Sequence, residues 1–142
     1  MGKIDKSNWP EGPWIEEVDE LEWVDFLTGY KCLVIRHPEV GSLCGYVRVP
    51  EGHPLHGKNG DELMDIEVHG GVTYSGSRGK DGEWWLGFDC AHYMDYLPGV
   101  VAALMSANAT DEITEVKRQE VYRNMAYCWE ECMKLAVQLK RL

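Results

Sequence analysis

The chain has no apolar run of the ~18–20 residues that a membrane span needs, and no apolar signal core near its start. The expected site of action is therefore away from any membrane. It has no C-x-x-C pair, no His-Glu-x-x-His and no phosphate-loop pattern, so the recognised zinc and P-loop chemistries have no support. Gly76-Ser77-Arg78-Gly79-Lys80 lacks the helix start that a phosphate loop requires. Basic residues are scarce: 14 Lys and Arg stand against 24 Asp and Glu, for a net charge of −10. Such a chain repels phosphate backbones, which argues against direct binding of DNA or RNA. Internal repeats and low-complexity tracts are absent. The five cysteines are odd in number and irregularly spaced. They read as free thiols rather than a disulfide framework.

At 142 residues the simplest organisation is one domain over residues 1–142. Residues 1–20 read as an extended acidic arm, broken by Pro10, Gly12 and Pro13 and pinned by Trp9 and Trp14. Residues 1–25 hold eight acids against Lys3 and Lys6. Residues 21–92 read as antiparallel strands. Glu22 to Asp25 and Tyr30 to Arg36 read as strands around a turn at Leu27-Thr28-Gly29, the second ending at Pro38; another spans Leu43 to Val49 and ends at Pro50, and two more span Leu63 to Tyr74 and Glu83 to Ala91. Residues 93–109 are interrupted by Pro98-Gly99 and fit either a short helix or a packed loop. Residues 111–139 read as one long helix whose apolar stripe runs through Val121, Met125, Cys128, Trp129, Cys132, Leu135, Ala136 and Leu139. The expected fold is α+β: an antiparallel β-sheet packed on one face by a long C-terminal α-helix.

The candidate site comes from pairing residues 67–74 with residues 84–91 about a turn centred near Gly79. His69 then lies across from Asp89, Gly71 from Gly87, and Thr73 from Trp85. Ile66, Val68, Val72 and Tyr74 turn toward the helix with Trp84, Leu86, Phe88 and Cys90. On the other face Asp89 fixes the His69 tautomer, the glycines leave backbone open, and Trp85 offers a flat platform. The expected ligand-binding residues are His69, Thr73, Trp85, Asp89 and His92, with Arg78 placed to hold a phosphate. His69, Asp89 and His92, helped by Glu67 or Asp95, also have ligand atoms for a metal. Polar cross-strand pairs and turn residues account for the same pattern without one, so no metal and no cofactor are expected. His53 and His56 fit turn positions around Pro54.

Leu43-Cys44-Gly45-Tyr46-Val47, Pro50 with Gly52-His53-Pro54, Val68 through Gly76, Trp84 through His92, and Tyr122-Arg123 through Leu139 carry a resemblance. Over roughly residues 22–139 the chain resembles an uncharacterised family of small proteins encoded by bacteriophages and prophages. The resemblance implies a phage accessory protein acting in a bacterial cytoplasm, and it supplies no catalytic residue. Three functions follow from the residues. The first is non-enzymatic binding of a small polar, nucleotide-like ligand on the hairpin face, a way of counteracting host defence. The second is an acidic interaction module that blocks a basic host protein surface, for which removal of residues 1–25 should leave the fold intact. The third is a hydrolase using His69 and Asp89 as catalytic groups. Self-association into a homo-oligomer is left open.

Overall fold

The computed structural model describes residues 3–142, apart from the side chains of Lys117 and Arg118. Among the described residues five strands form: β1 (Glu20–Val24), β2 (Lys31–Arg36), β3 (Leu43–Val49), β4 (Tyr74–Arg78) and β5 (Glu83–Asp89). They make one antiparallel sheet in the order β1-β2-β3-β5-β4. The β1–β2 turn forms because Asp25 accepts hydrogen bonds from the backbone N–H and hydroxyl of Thr28 (3.0 and 2.7 Å), while Gly29 takes a φ of 77°. Pro38 and Pro50 lie just beyond β2 and β3, where a residue without an N–H ends pairing.

A first helical turn, α1 (Pro13–Glu16), precedes the sheet, and α2 (Pro98–Ser106), α3 (Thr110–Gln119) and α4 (Met125–Lys140) follow it. The fold is α+β, with α4 laid on one face of the sheet against β3 and β2. Alternation along the strands decides which side chains face the helix. Cys32, Val34, Leu43, Val47, Val49, Leu86 and Phe88 meet Cys128, Cys132, Leu135, Ala136 and Leu139 in one buried cluster. Gly45 marks the closest approach of the layers. A Cβ there would sit 2.4 Å from the Phe88 ring and 2.8 Å from Cys132 Sγ. Among the described residues no helix is long and apolar enough to cross a membrane.

Three sequence expectations change. The helix expected over residues 111–139 is broken at residues 120–124. Val121 N–H donates to Met94 O and Tyr96 N–H to Val121 O, both at 2.8 Å, so this stretch is drawn out beside residues 94–96. Asn124 then caps a new helix by accepting from Tyr127 N–H at 2.8 Å. The strand expected over Leu63 to Tyr74 is reduced to its last residue. Residues 60–63 form a single 3-10 turn, and Val68 to Gly71 a β-turn closed by Gly71 N–H to Val68 O at 2.8 Å. Gly70 and Gly71, at φ 68° and 82°, leave the extended region altogether.

The third change is in the N-terminal arm, whose first two residues lie outside the described residues. Besides the expected packing of Trp14, it forms a clamp around Arg36. Arg36, with its side chain fully buried, donates to Asp19 (2.7 Å), Glu17 (2.9 Å), the carbonyls of Gly41 (3.0 Å) and Val18 (3.2 Å), and the Tyr122 hydroxyl (2.7 Å). Trp14 stacks on Tyr96, with ring centroids 4.9 Å apart. Residues 20–24 are themselves a sheet strand, so removal of residues 1–25 would not leave the fold intact.

Candidate functional site

The β4–β5 register differs from the sequence expectation by three residues. Gly76, not Thr73, lies across from Trp85, and Tyr74 lies across from Gly87. The reason is the turn. Arg78 and Glu83 close a four-residue loop in which Gly79 and Gly82 take φ values of 81° and 64°, so its centre falls after Gly79. An odd shift reverses side-chain parity in β4 while leaving β5 as expected. Leu86 and Phe88 do face the helix, and Trp85, Gly87 and Asp89 the opposite, open face. Tyr74, expected in the core, is instead on the open face.

Tyr46 and Tyr74 define that face. A Cβ on Gly87 would lie 2.5 Å from the Tyr46 ring, so the missing side chain makes room for the tyrosine and does not bare backbone to a ligand. The two tyrosines meet edge to face, 5.4 Å apart at 87°. Trp85 is only 5% exposed and is no platform. Its register neighbours are Arg48 and Gly76. Gly71 sits in the turn after Val68, away from Gly87.

Beside the tyrosines opens a cleft of about 510 Å³, lined by His37, Ser42, Cys44, Tyr46, Thr73, Tyr74 and Asp89 among others. Asp89 is fixed at its edge: Oδ2 accepts from the Thr73 hydroxyl and Oδ1 from Ala91 N–H, both at 3.0 Å. His92 Nε2 lies 3.2 Å from Asp89 Oδ1. Thr73, Asp89 and His92 are thus brought together as the sequence suggested. Burial, aided by the nearby Asp89 charge, pushes the Cys44 thiol up to about 11. At pH 8 only about one thiol in a thousand is then thiolate, so iodoacetamide should label Cys44 of the native protein roughly 100-fold more slowly than an exposed cysteine. Peptide mass spectrometry would read this, and rapid labelling at Cys44 would contradict it.

His69 belongs to a second cluster. Its Nε2 lies 2.7 Å from Asp95 Oδ2 and its Nδ1 2.7 Å from the Tyr127 hydroxyl. An ionised carboxylate only accepts, so Nε2 carries a proton toward Asp95 and Nδ1 is left to the Tyr127 hydroxyl. Asp95, buried, also accepts from His92 N–H and from Arg123 Nε, both at 3.0 Å. Burial pushes its carboxyl up, but the bonds from His69, His92 N–H and Arg123 outweigh this and hold it below the ordinary carboxylate range. The expected His69–Asp89 pair is not formed; the carboxylate partner of His69 is Asp95. The backbone N–H of His69 donates to Glu131 at 2.8 Å, tying the turn to α4. With both ring nitrogens engaged, His69 has none to give a metal. Among the described residues no group of three His, Cys, Asp or Glu side chains is placed to hold one. Glu67 is exposed, and its backbone is bonded to Gln138. His53 bonds the Leu139 carbonyl at 2.7 Å, a structural contact.

Sequence reasoning missed Tyr46 and Tyr74 as cleft walls, and Tyr127 and Arg123 as partners of the His69 cluster. For Tyr46 part of the signal was present, since alternation in β3 sets it on the face opposite Leu43, Val47 and Val49; its place across from Gly87 came from the β3–β5 pairing. For Tyr127 there was none, because it meets His69 from an element 58 positions away. No family model, curated protein or solved structure matches this chain, so the functional argument rests on the geometry.

Proposed function

We propose that the protein binds, without altering it, a small polar ligand with a planar ring, nucleotide-like in character, in the cleft between Tyr46 and Asp89. The observation that carries this reading is the lining. Aromatic walls from Tyr46 and Tyr74 stand beside an anchored carboxylate and the hydroxyls of Thr73 and Ser42, in a volume suited to a small molecule. Binding is favoured over turnover because the reactive groups nearby are occupied or quiet. His69 is committed on both nitrogens and Cys44 is held as a thiol. A phage accessory role, in which the protein sequesters a host nucleotide signal, is part of this proposal.

A melting-temperature screen against nucleosides and nucleotides tests this. At 100 times its dissociation constant a ligand adds about 2.7 kcal/mol, or roughly 5–10 °C for a chain of this size. The shift should vanish in Asp89→Asn, and the ligand should be recovered intact after denaturation. Absence of any shift across the panel, or recovery of a product, would overturn the reading.

A second reading, an acidic module that docks on a basic host protein, is favoured by the tip of the β1–β2 hairpin. Phe26 is 90% exposed and Leu27 and Val24 are exposed beside it, with Glu20 and Glu22 on the same hairpin. Docking of this kind would weaken steeply with salt.

A further inference from the structure

Three cations stand on the open face near the β4–β5 turn: Lys31, Arg48 and Arg78. Glu83 serves two of them, with Lys31 Nζ at 3.4 Å and Arg48 Nε in direct contact with the same carboxylate oxygen. Arg78 is the register partner of Glu83, yet among the described residues its guanidinium makes neither an ion pair nor a hydrogen bond. In a chain where acids outnumber bases 24 to 14, a guanidinium without a carboxylate needs a reason. Its position supplies one. Its Cζ lies 4.4 Å from the centroid of Tyr46 and 6.0 Å from that of Tyr74, the two rings that wall the cleft. Lying against the ring face, the guanidinium keeps its fork of N–H donors unspent, the geometry that recognises a phosphate through two parallel bonds.

Arg78 does not line the cleft itself but stands beside it, against the two rings that form its wall. We propose that it is the anion-recognition residue for a ligand that reaches out of the cleft past those rings, and that the ligand carries a phosphoryl group. The inference rests on the reading of the cleft as a ligand site and names the chemistry of one end of it. Asp89 stands at the other end. Tyr46 is opposite Gly87, two residues from Asp89, a separation of roughly 7 Å along the strand. A ligand whose amine or hydroxyl donors meet Asp89, whose ring passes the tyrosines and whose phosphate meets Arg78 has the chemistry of a nucleoside monophosphate. The carboxylate at one end and the free cation at the other also set its orientation.

Isothermal titration with the four common ribonucleosides and their 5′-monophosphates, on the wild type, Arg78→Gln and Arg78→Lys, tests the assignment. For the base that binds, the monophosphate should bind the wild type at least tenfold more tightly than its nucleoside. Arg78→Gln should bring that ratio close to one, and Arg78→Lys should restore part of it, as a point charge without the fork. Equal affinity of nucleoside and monophosphate for the wild type would overturn the role of Arg78 and leave the cleft reading standing. So would an undiminished phosphate preference in Arg78→Gln. Failure of all eight compounds to bind would overturn both.

Discussion

Replacing Arg36 by Met should lower the free energy of unfolding by about 3 kcal/mol, with release of the N-terminal arm. Arg36 is fully buried, and its guanidinium holds Glu17, Asp19, two carbonyls and the Tyr122 hydroxyl. Removing one member of a buried ionic group costs about 3–5 kcal/mol, because the opposite charges stay behind unpaired. The lower end applies here. Glu17 keeps the Tyr122 hydroxyl and the Met125 N–H at 2.9 Å, and Asp19 keeps Lys6 at 2.7 Å. Against a typical total of ~5–15 kcal/mol the loss is still large. Urea denaturation would measure it, and protease cutting before Glu20 would report the freed arm. A change below ~1 kcal/mol would show that the clamp contributes little. Arg36→Lys should not rescue, since an ammonium cannot reach five acceptors in a plane.

The Asp95→Asn variant is the second large expectation, again near 3 kcal/mol at neutral pH. Asparagine keeps the shape but removes the charge that faces Arg123 and the His69 N–H. The pH dependence separates this from a simple packing defect. The Asp95 carboxyl titrates lower in the folded protein than in the unfolded chain, where it sits near 3.9. Its stabilisation is therefore complete above about pH 4 and is lost as pH falls through the folded value. Wild-type stability should fall more steeply than that of Asp95→Asn on acidification below pH 4, so that the two curves converge. Parallel curves from pH 7 to pH 3 would contradict the assignment. Loss of Asp95 also frees His69, Arg123 and the His92 N–H together, so the Val68–Gly71 turn should show faster amide exchange.

Much of the sheet was legible because its signals are local. Alternation in Leu43 to Val49 and Glu83 to Asp89, with prolines after β2 and β3, defines strands and their buried faces without knowledge of the partner. Register is not local in the same sense. It depended on whether Gly79 alone or Gly79 through Gly82 makes the turn, and that difference moved Tyr74 from the core to the cleft. The site was legible in part for the same reason. Thr73, Asp89 and His92 cluster around the end of β5, where the sequence put them. The partner of His69 was decided by how residues 68–71 turn back toward α4. The break in the long helix was hidden too, since residues 120–124 fit the helical pattern and are drawn out only by bonds to residues 94 and 96.

Among the described residues β1 and β4 are the two outer strands of the sheet. A bare strand border invites a neighbouring molecule to continue the ladder. Along β1 that border carries Glu20 and Glu22, both exposed and without a basic partner among the described residues. Two copies approaching through it would crowd like charges together before any backbone bond formed. The acidity that looks diffuse in the composition thus acts at this rim as insulation against sheet-to-sheet growth, and it weakens where protons or salt blunt those carboxylates.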